Sequence, residues 1–159
     1  MVNVLPPAAE RVQKAAEALG LDVTVMIMPA STHTAEQAAA ACGTSVAQIV
    51  KSLIFQGKTS KKPYLFLVSG VNRVNEKAVA ATIGEAIVRP DATFVRDETG
   101  FAIGGIPPLG HDRRLVPYID ADLLQYGTVW AAAGTPNAVF EVSPQKLKEA
   151  TGAVVISVK

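Results

Sequence analysis

The chain is poor in the residues that most often build a reactive site unaided. A single cysteine, Cys42, excludes an internal disulfide framework and fits a reducing compartment, the cytoplasm. Two histidines, His33 and His111, together with that one thiol leave no spacing that would hold a metal. There is no Walker A pattern, and the glycines do not follow the dinucleotide fingerprint, which needs a strand before it and a helix after it. Apolar runs are broken by Pro, Gly or polar residues before they reach membrane-spanning length, so no membrane partner is expected. The start, Met1-Val2-Asn3-Val4-Leu5-Pro6-Pro7, lacks the basic and apolar regions of a signal peptide. A large excess of charge of one sign is missing too. A formal net charge of +1 argues against coating nucleic acid by bulk electrostatics. Local patches remain, Lys58, Lys61 and Lys62 in one stretch and Arg113 with Arg114 in another; taken alone, each reads first as solvated surface.

What is present is a core. With 159 residues, 49% hydrophobic and 18% charged, the chain has the size and composition of one globular domain spanning residues 1–159. No repeat, low-complexity segment or linker interrupts it.

The pattern of elements predicts a mixed fold. Pro6-Pro7 precedes a helix over 8–19, with Val12, Ala15, Ala16 and Leu19 on one face and Gly20 as its stop. Residues 21–28 alternate, placing Val23, Val25 and Ile27 on one side of a strand. Thr34-Ala35-Glu36-Gln37 reads as a capping box for a helix to Cys42, and Ser45-Val46-Ala47-Gln48 as the start of a second short helix reaching Val50 or Lys51. Strands over 52–56 and 63–68 flank a polar turn. Asn75 and Asp91 cap two further helices, ending near Gly84 and Gly100. Strands follow over 115–119, 128–133 and 138–142, then a helix from Ser143-Pro144 to Gly152 and a last strand over 154–158. Helices weight the first two thirds and short strands the last third, which favours α+β over a doubly wound sheet.

Against that background one stretch stands out, Gly104-Gly105-Ile106-Pro107-Pro108-Leu109-Gly110-His111. Glycine permits close backbone approach to a ligand, and proline stiffens the same loop. Phe101-Ala102-Ile103 before it and Arg113-Arg114 after it suggest a buried edge opening onto a surface able to meet an anion. Lys51 sits where the short helix is expected to become a strand; there it either snorkels to the surface or is held for its charge. Cys42, near the end of an Ala-rich helix, has the position of a small core residue, although a thiol–imidazole pair is conceivable. Gly134-Thr135-Pro136-Asn137 joins two expected strands and is complete as a hairpin turn; it gains a site role only if the sheet brings it beside the first loop.

Four segments together resemble a known family. They are Ile49-Val50-Lys51-Ser52-Leu53-Ile54-Phe55, Val68-Ser69-Gly70, the run Thr99-Gly100-Phe101-Ala102-Ile103 leading into the glycine–proline loop, and Ala133-Gly134-Thr135-Pro136-Asn137-Ala138-Val139-Phe140. The resemblance is to the YbaK family, free-standing relatives of the editing domain inserted in bacterial prolyl-tRNA synthetases, and it covers nearly the whole chain in order. It implies a mixed, strongly curved, barrel-like β-sheet surrounded by helices. It implies hydrolysis of a wrongly attached amino acid from tRNA, most often the tRNA for proline, with no metal or organic cofactor. The partner implied is the acceptor end of aminoacyl-tRNA, with prolyl-tRNA synthetase as a candidate protein partner. The family's essential lysine falls on Lys51, and its Gly-x-x-x-Pro loop on Gly104, Gly105, Ile106, Pro107 and Pro108. Lys51, Gly104, Gly105 and Pro108 would act at the ester. Thr32, His33, Ser69, Ile106, Pro107, Gly110, His111, Gly134 and Thr135 would bind the substrate, with His111 shaping the pocket, orienting water or serving structure alone.

The chemistry is coherent with so few reactive side chains. An aminoacyl ester is already activated, so the site must place the carbonyl, stabilise the oxyanion and admit one water. In this family the neighbouring ribose hydroxyl is thought to help activate that water. The removed amino acid could be Ala, Ser, Thr, Cys or 2-aminobutyrate. Ala30-Ser31-Thr32-His33-Thr34-Ala35-Glu36 is more similar to the broad-specificity members than to the cysteine-specific ones. Two other readings make separate predictions: a non-catalytic tRNA- or synthetase-binding module of the same fold, and a thiol hydrolase using Cys42.

Overall fold

A computed structural model describes residues 4–159, so the first three residues of the N-terminal segment lie outside the described residues. In chain order the elements are α1 (Pro7–Ala18), β1 (Met26–Ile27), α2 (Ala35–Cys42), a 3-10 turn (Val46–Gln48), β2 (Ile49–Gly57), β3 (Pro63–Ser69), α3 (Glu76–Ile83), β4 (Ile87–Val88), α4 (Ala92–Thr99), β5 (Tyr118–Asp120), a 3-10 helix (Ala121–Gln125), β6 (Val129–Ala132), β7 (Ala138–Val142), α5 (Pro144–Thr151) and β8 (Val154–Ile156). Among the described residues the strands form one curved, mixed sheet in the order β1-β7-β6-β2-β3-β5-β8, with β4 also paired to β2. The contacts β2–β6, β3–β5 and β5–β8 are parallel and the others antiparallel, so the α+β expectation holds.

Local chemistry sets most helix ends. The Thr34 hydroxyl accepts the Gln37 N–H at 3.1 Å while the Gln37 side chain accepts the Thr34 N–H at 3.2 Å, the reciprocal box read from sequence. Asn75, Asp91 and Ser143 cap α3, α4 and α5 in the same manner. Both sheet faces are covered. Ala9, Val12 and Ala16 of α1 pack with Val50, Ile54, Leu65, Leu67, Ile119 and Phe140. On the other face Val79 of α3 joins Phe55, Phe66, Val68, Ile87 and Ile156. Each such fully buried side chain contributes about 1.5–3 kcal/mol.

Three departures from the sequence reading matter. Residues 46–48 form only a single 3-10 turn, and strand β2 begins at Ile49, so Lys51 is a strand residue and not a junction residue. Pairing of Ile49 with Trp130 and Val50 with Ala131 draws these β-branched residues into the sheet. The strand expected over 21–28 shrinks to Met26–Ile27. Val23 and Val25 are buried as expected, but Ile27 is exposed. The Gln13 side chain takes the Val25 N–H at 2.7 Å and donates to the Val23 carbonyl at 2.9 Å, standing in for a partner strand. Finally, the longest strands, β2 and β3, lie in the middle of the chain, and β4 and the 3-10 helix over 121–125 carried no sequence signal.

Candidate functional site

Strand β2 has two edges. One is paired with β3 along its length; the other meets β6 only at Ile49 and Val50 and β4 only at Gln56 and Gly57. A cavity of about 470 Å³ opens at the gap, a volume usual for a small-ligand site. Its wall includes residues 49–55 of β2, Thr32, His33, Arg89, Pro90, Ile103, Gly104, Ile106 and Ala131.

Lys51 lies in this wall, half-buried and opposite Val68 of β3. Its ammonium donates to the main-chain carbonyl of Asn72 at 2.5 Å. Burial pushes its pKa below that of a free lysine; the Glu36 and Asp120 carboxylates oppose that shift and the Arg73 guanidinium adds to it. Asn72 is itself fixed. Its side-chain amide donates to Asp120 and to Asp122, each at 2.8 Å. Asp120, 1% exposed, also accepts the main-chain N–H groups of Ser69 and Asp122, so its buried charge is satisfied.

The two glycine loops meet. The Gly134 N–H donates to the Gly105 carbonyl at 2.8 Å, and a Cβ on Gly105 would lie 2.8 Å from the Thr135 backbone, so only glycine allows this approach. Gly104 has φ of +106°, and the exposed His33 ring covers it so closely that a Cβ would sit 2.6 Å from the imidazole. Thr32 is buried and directs its hydroxyl to the Pro136 carbonyl at 2.7 Å, anchoring the second loop.

The glycine–proline loop divides between two cavities. Gly104 and Ile106 line the Lys51 cavity, with Gly105 tied to Gly134 beside them. Pro108, Gly110 and His111 instead line a second cavity of about 240 Å³, with Leu19, Leu65 and Leu115. His111 donates from Nε2 to the Pro107 carbonyl at 2.6 Å, which bends the loop back on itself. Burial holds its pKa below the usual histidine value. Ser69 is buried away from the Lys51 cavity, its hydroxyl donating to the Ala47 carbonyl at 2.7 Å. Arg113 pairs with Glu98 and Arg114 lines the second cavity, so the cations at the Lys51 cavity are Lys51 and Arg89 and not this arginine pair. Lys58, Lys61 and Lys62 sit exposed around the β2–β3 turn. Among the described residues no group of His, Cys, Asp and Glu is arranged to hold a metal ion, and no helix is long and apolar enough to cross a membrane.

Residues 29–150 match the profile of the aminoacyl-tRNA editing domain. The chain belongs to that editing-domain family. It is 34% identical over 121 residues to the uncharacterized protein YwhH of Bacillus subtilis (strain 168), covering 75% of each chain. It is 48% identical to a protein of known structure described as a candidate trans-editing enzyme for prolyl tRNA synthetase, with a TM-score of 0.92 over 98% of this chain and 99% of that one. The structure of hypothetical protein APE2540 is similar at 34% identity and a TM-score of 0.86, covering 93% of this chain and 98% of that one.

Several residues in or behind this editing domain's cavity escaped the sequence reading. Asn72 and Asp120 act on Lys51 from sequence distances of 21 and more residues, and nothing local to either announces the contact. Arg89 and Pro90 reach the cavity through β4, whose two residues are too short for a periodic signal. Ser52 had a signal that went unread: a polar residue between Lys51 and an apolar run, whose hydroxyl is buried without a partner among the described residues.

Proposed function

We propose that this chain is a trans-editing aminoacyl-tRNA deacylase. It would remove a small wrong amino acid (Ala, Ser, Thr, Cys or 2-aminobutyrate) from tRNA for proline, with residues 1–159 acting as one editing domain in the cytoplasm. The observation that carries the reading is Lys51: in a chain of the editing family, a half-buried lysine lines a cavity that adjoins two glycine loops. The similar trans-editing candidate for prolyl tRNA synthetase supports the choice of tRNA and suggests that synthetase as a partner.

In the proposed reaction water attacks the ester carbonyl carbon, the bond to the ribose oxygen breaks, and the free amino acid and the tRNA hydroxyl leave. Lys51 holds the terminal phosphate or the charge developing on the oxyanion. Gly104, Gly105 and Ile106 place main-chain groups beside the amino acid, and Pro107 and Pro108 keep the loop stiff. His33 and Thr32 form part of the pocket wall, and Gly134 and Thr135 support the first loop through Gly105. Gly110, His111 and Ser69 act one layer back: His111 through the Pro107 carbonyl, Ser69 through Asp120. The ribose hydroxyl beside the ester would help activate the water.

The test is a single-turnover panel of mischarged tRNAs against wild type and Lys51→Ala, with folding checked by circular dichroism. Turnover by wild type and its loss in a folded Lys51→Ala protein are expected. Retained turnover in that variant overturns the role of Lys51, and binding without turnover by wild type favours the non-catalytic module.

A further inference from the structure

The open edge of β2 presents main-chain groups to the cavity, and their identity follows from ladder parity. The Ile49 carbonyl accepts from Gly70, and the Gly57 N–H donates to Lys62, both on the β3 side. The register between these points is unbroken, from Val50 opposite Ser69 to Gln56 opposite Pro63. Odd-numbered residues of β2 therefore turn their N–H and C=O toward β3, and even-numbered residues turn theirs the other way. The Lys58 N–H, donating to Ala86 on the β4 side, keeps this parity. Val50 is taken by β6 and Gln56 by β4. Ser52 and Ile54 are left.

Both flanking ladders stop short of these two residues. Continuing the β4 register would set Ile54 opposite Pro90, and proline has no N–H to donate. On the other side the β2–β6 register ends with Val50 opposite Ala131, and β6 itself ends at Ala132. Among the described residues none of the four main-chain groups of Ser52 and Ile54 has a hydrogen-bond partner outside the strand ladders, and both residues line the cavity. Main-chain donors and acceptors left unpaired in a cavity wall are free to take a ligand in place of water. The Ser52 hydroxyl beside them is also buried without a partner.

We infer that this edge is the reader of the aminoacyl group. The inference rests on the deacylase reading and adds residues to it. The C=O of Ser52 accepts the α-ammonium, and its N–H donates to the ester carbonyl, as in one residue of an antiparallel pair. The Ile54 groups, about 7 Å further along the strand, provide a second donor–acceptor pair for the remainder of the ligand. A substrate with adjacent cationic donor and carbonyl acceptor matches this order of groups, whereas an N-acylated one loses the charge that the carbonyl favours. As the carbonyl carbon becomes tetrahedral the Ser52 N–H stabilises the oxyanion beside Lys51.

Two experiments test it, with wild-type turnover on Ala-tRNA for proline measured alongside. In the first, 15N-labelled wild type is titrated with 3′-alanylamino-3′-deoxyadenosine, an amide that cannot be hydrolysed as an ester. The amide signals of Ser52 and Ile54 are expected to shift and to gain protection from exchange. Any other pattern, including shifts confined to the glycine loops or no binding, overturns the inference. In the second, Ser52→Pro removes the hydroxyl together with an N–H that makes no ladder bond, a change tolerated at an open edge, and Ser52→Ala removes the hydroxyl alone, so the two variants are compared for the effect of the N–H. The folded proline variant is expected to have a turnover rate about 100-fold below the alanine variant; equal rates overturn the assignment, and the titration decides if the proline variant does not fold. Wild type without turnover on any tRNA of the mischarged panel would instead defeat the deacylase reading, whatever the amide signals do.

Discussion

The Lys51 ammonium is bonded to the Asn72 carbonyl, and the Asn72 side chain is clamped by Asp120 and Asp122. The lysine is thus aimed by a carbonyl whose own position depends on a buried carboxylate reached across 48 residues of chain.

Asn72→Ala keeps the carbonyl but removes the clamp. Single-turnover deacylation is expected to fall about 10- to 100-fold through misplacement of the ammonium, with little change in apparent substrate affinity. The buried Asp120 loses one donor, a destabilisation of about 1–3 kcal/mol. Asn72→Asp is expected to be worse on both counts, because it sets a third carboxylate against Asp120 and Asp122. Rate and affinity constants together with denaturant midpoints check this; an unchanged rate in a destabilised Asn72→Ala protein would reduce Asn72 to a structural role.

His111 makes folding sensitive to mild acid. Burial lowers its folded pKa from an ordinary 6.5, so the unfolded chain binds the proton more readily. Its contribution to stability is therefore complete above about pH 6.5 and is lost as the pH falls through the lower folded value. Arg11 and Asp112 both act on the ring, the former disfavouring the proton and the latter favouring it. Denaturant midpoints between pH 8 and pH 5 should fall for wild type and fall less for His111→Gln, whose amide can donate to Pro107 without titrating. Equal slopes would assign the acid sensitivity to another group.

Cys42 should be dispensable. It ends α2 outside the Lys51 cavity, and burial, helped by Glu141, raises its pKa, which keeps the thiol protonated at neutral pH. Cys42→Ser is expected to deacylate at the wild-type rate and iodoacetamide to leave wild type active. Loss of activity in either case would revive the thiol-hydrolase reading.

What could be read in the sequence was local. Thr34 with Gln37, Asn75, Asp91 and Ser143 announce their helices because a cap is a contact over three residues. The contact between the two glycine loops was legible only as a condition, that the sheet bring them together, and the Gly134–Gly105 hydrogen bond meets it. The rest depended on partners distant in sequence. Trp130 and Ala131 turn Ile49 and Val50 from helix to strand, and Gln13 replaces a strand that alternation alone would extend. The division of the loop at Pro107, with Ile106 facing one cavity and Pro108 the other, follows from packing on α1 and β2 and leaves no trace in composition.

Pro90 has one more effect. Unpaired strand edges are where proteins stick to one another, since any extended chain can continue the ladder. With β4 stopped short at Pro90 and β6 ending at Ala132, one edge of β2 stays open at Ser52 and Ile54, within the wall of a pocket and over a short length. The protein can keep raw backbone available for a small guest without offering a seam along which its own copies could aggregate.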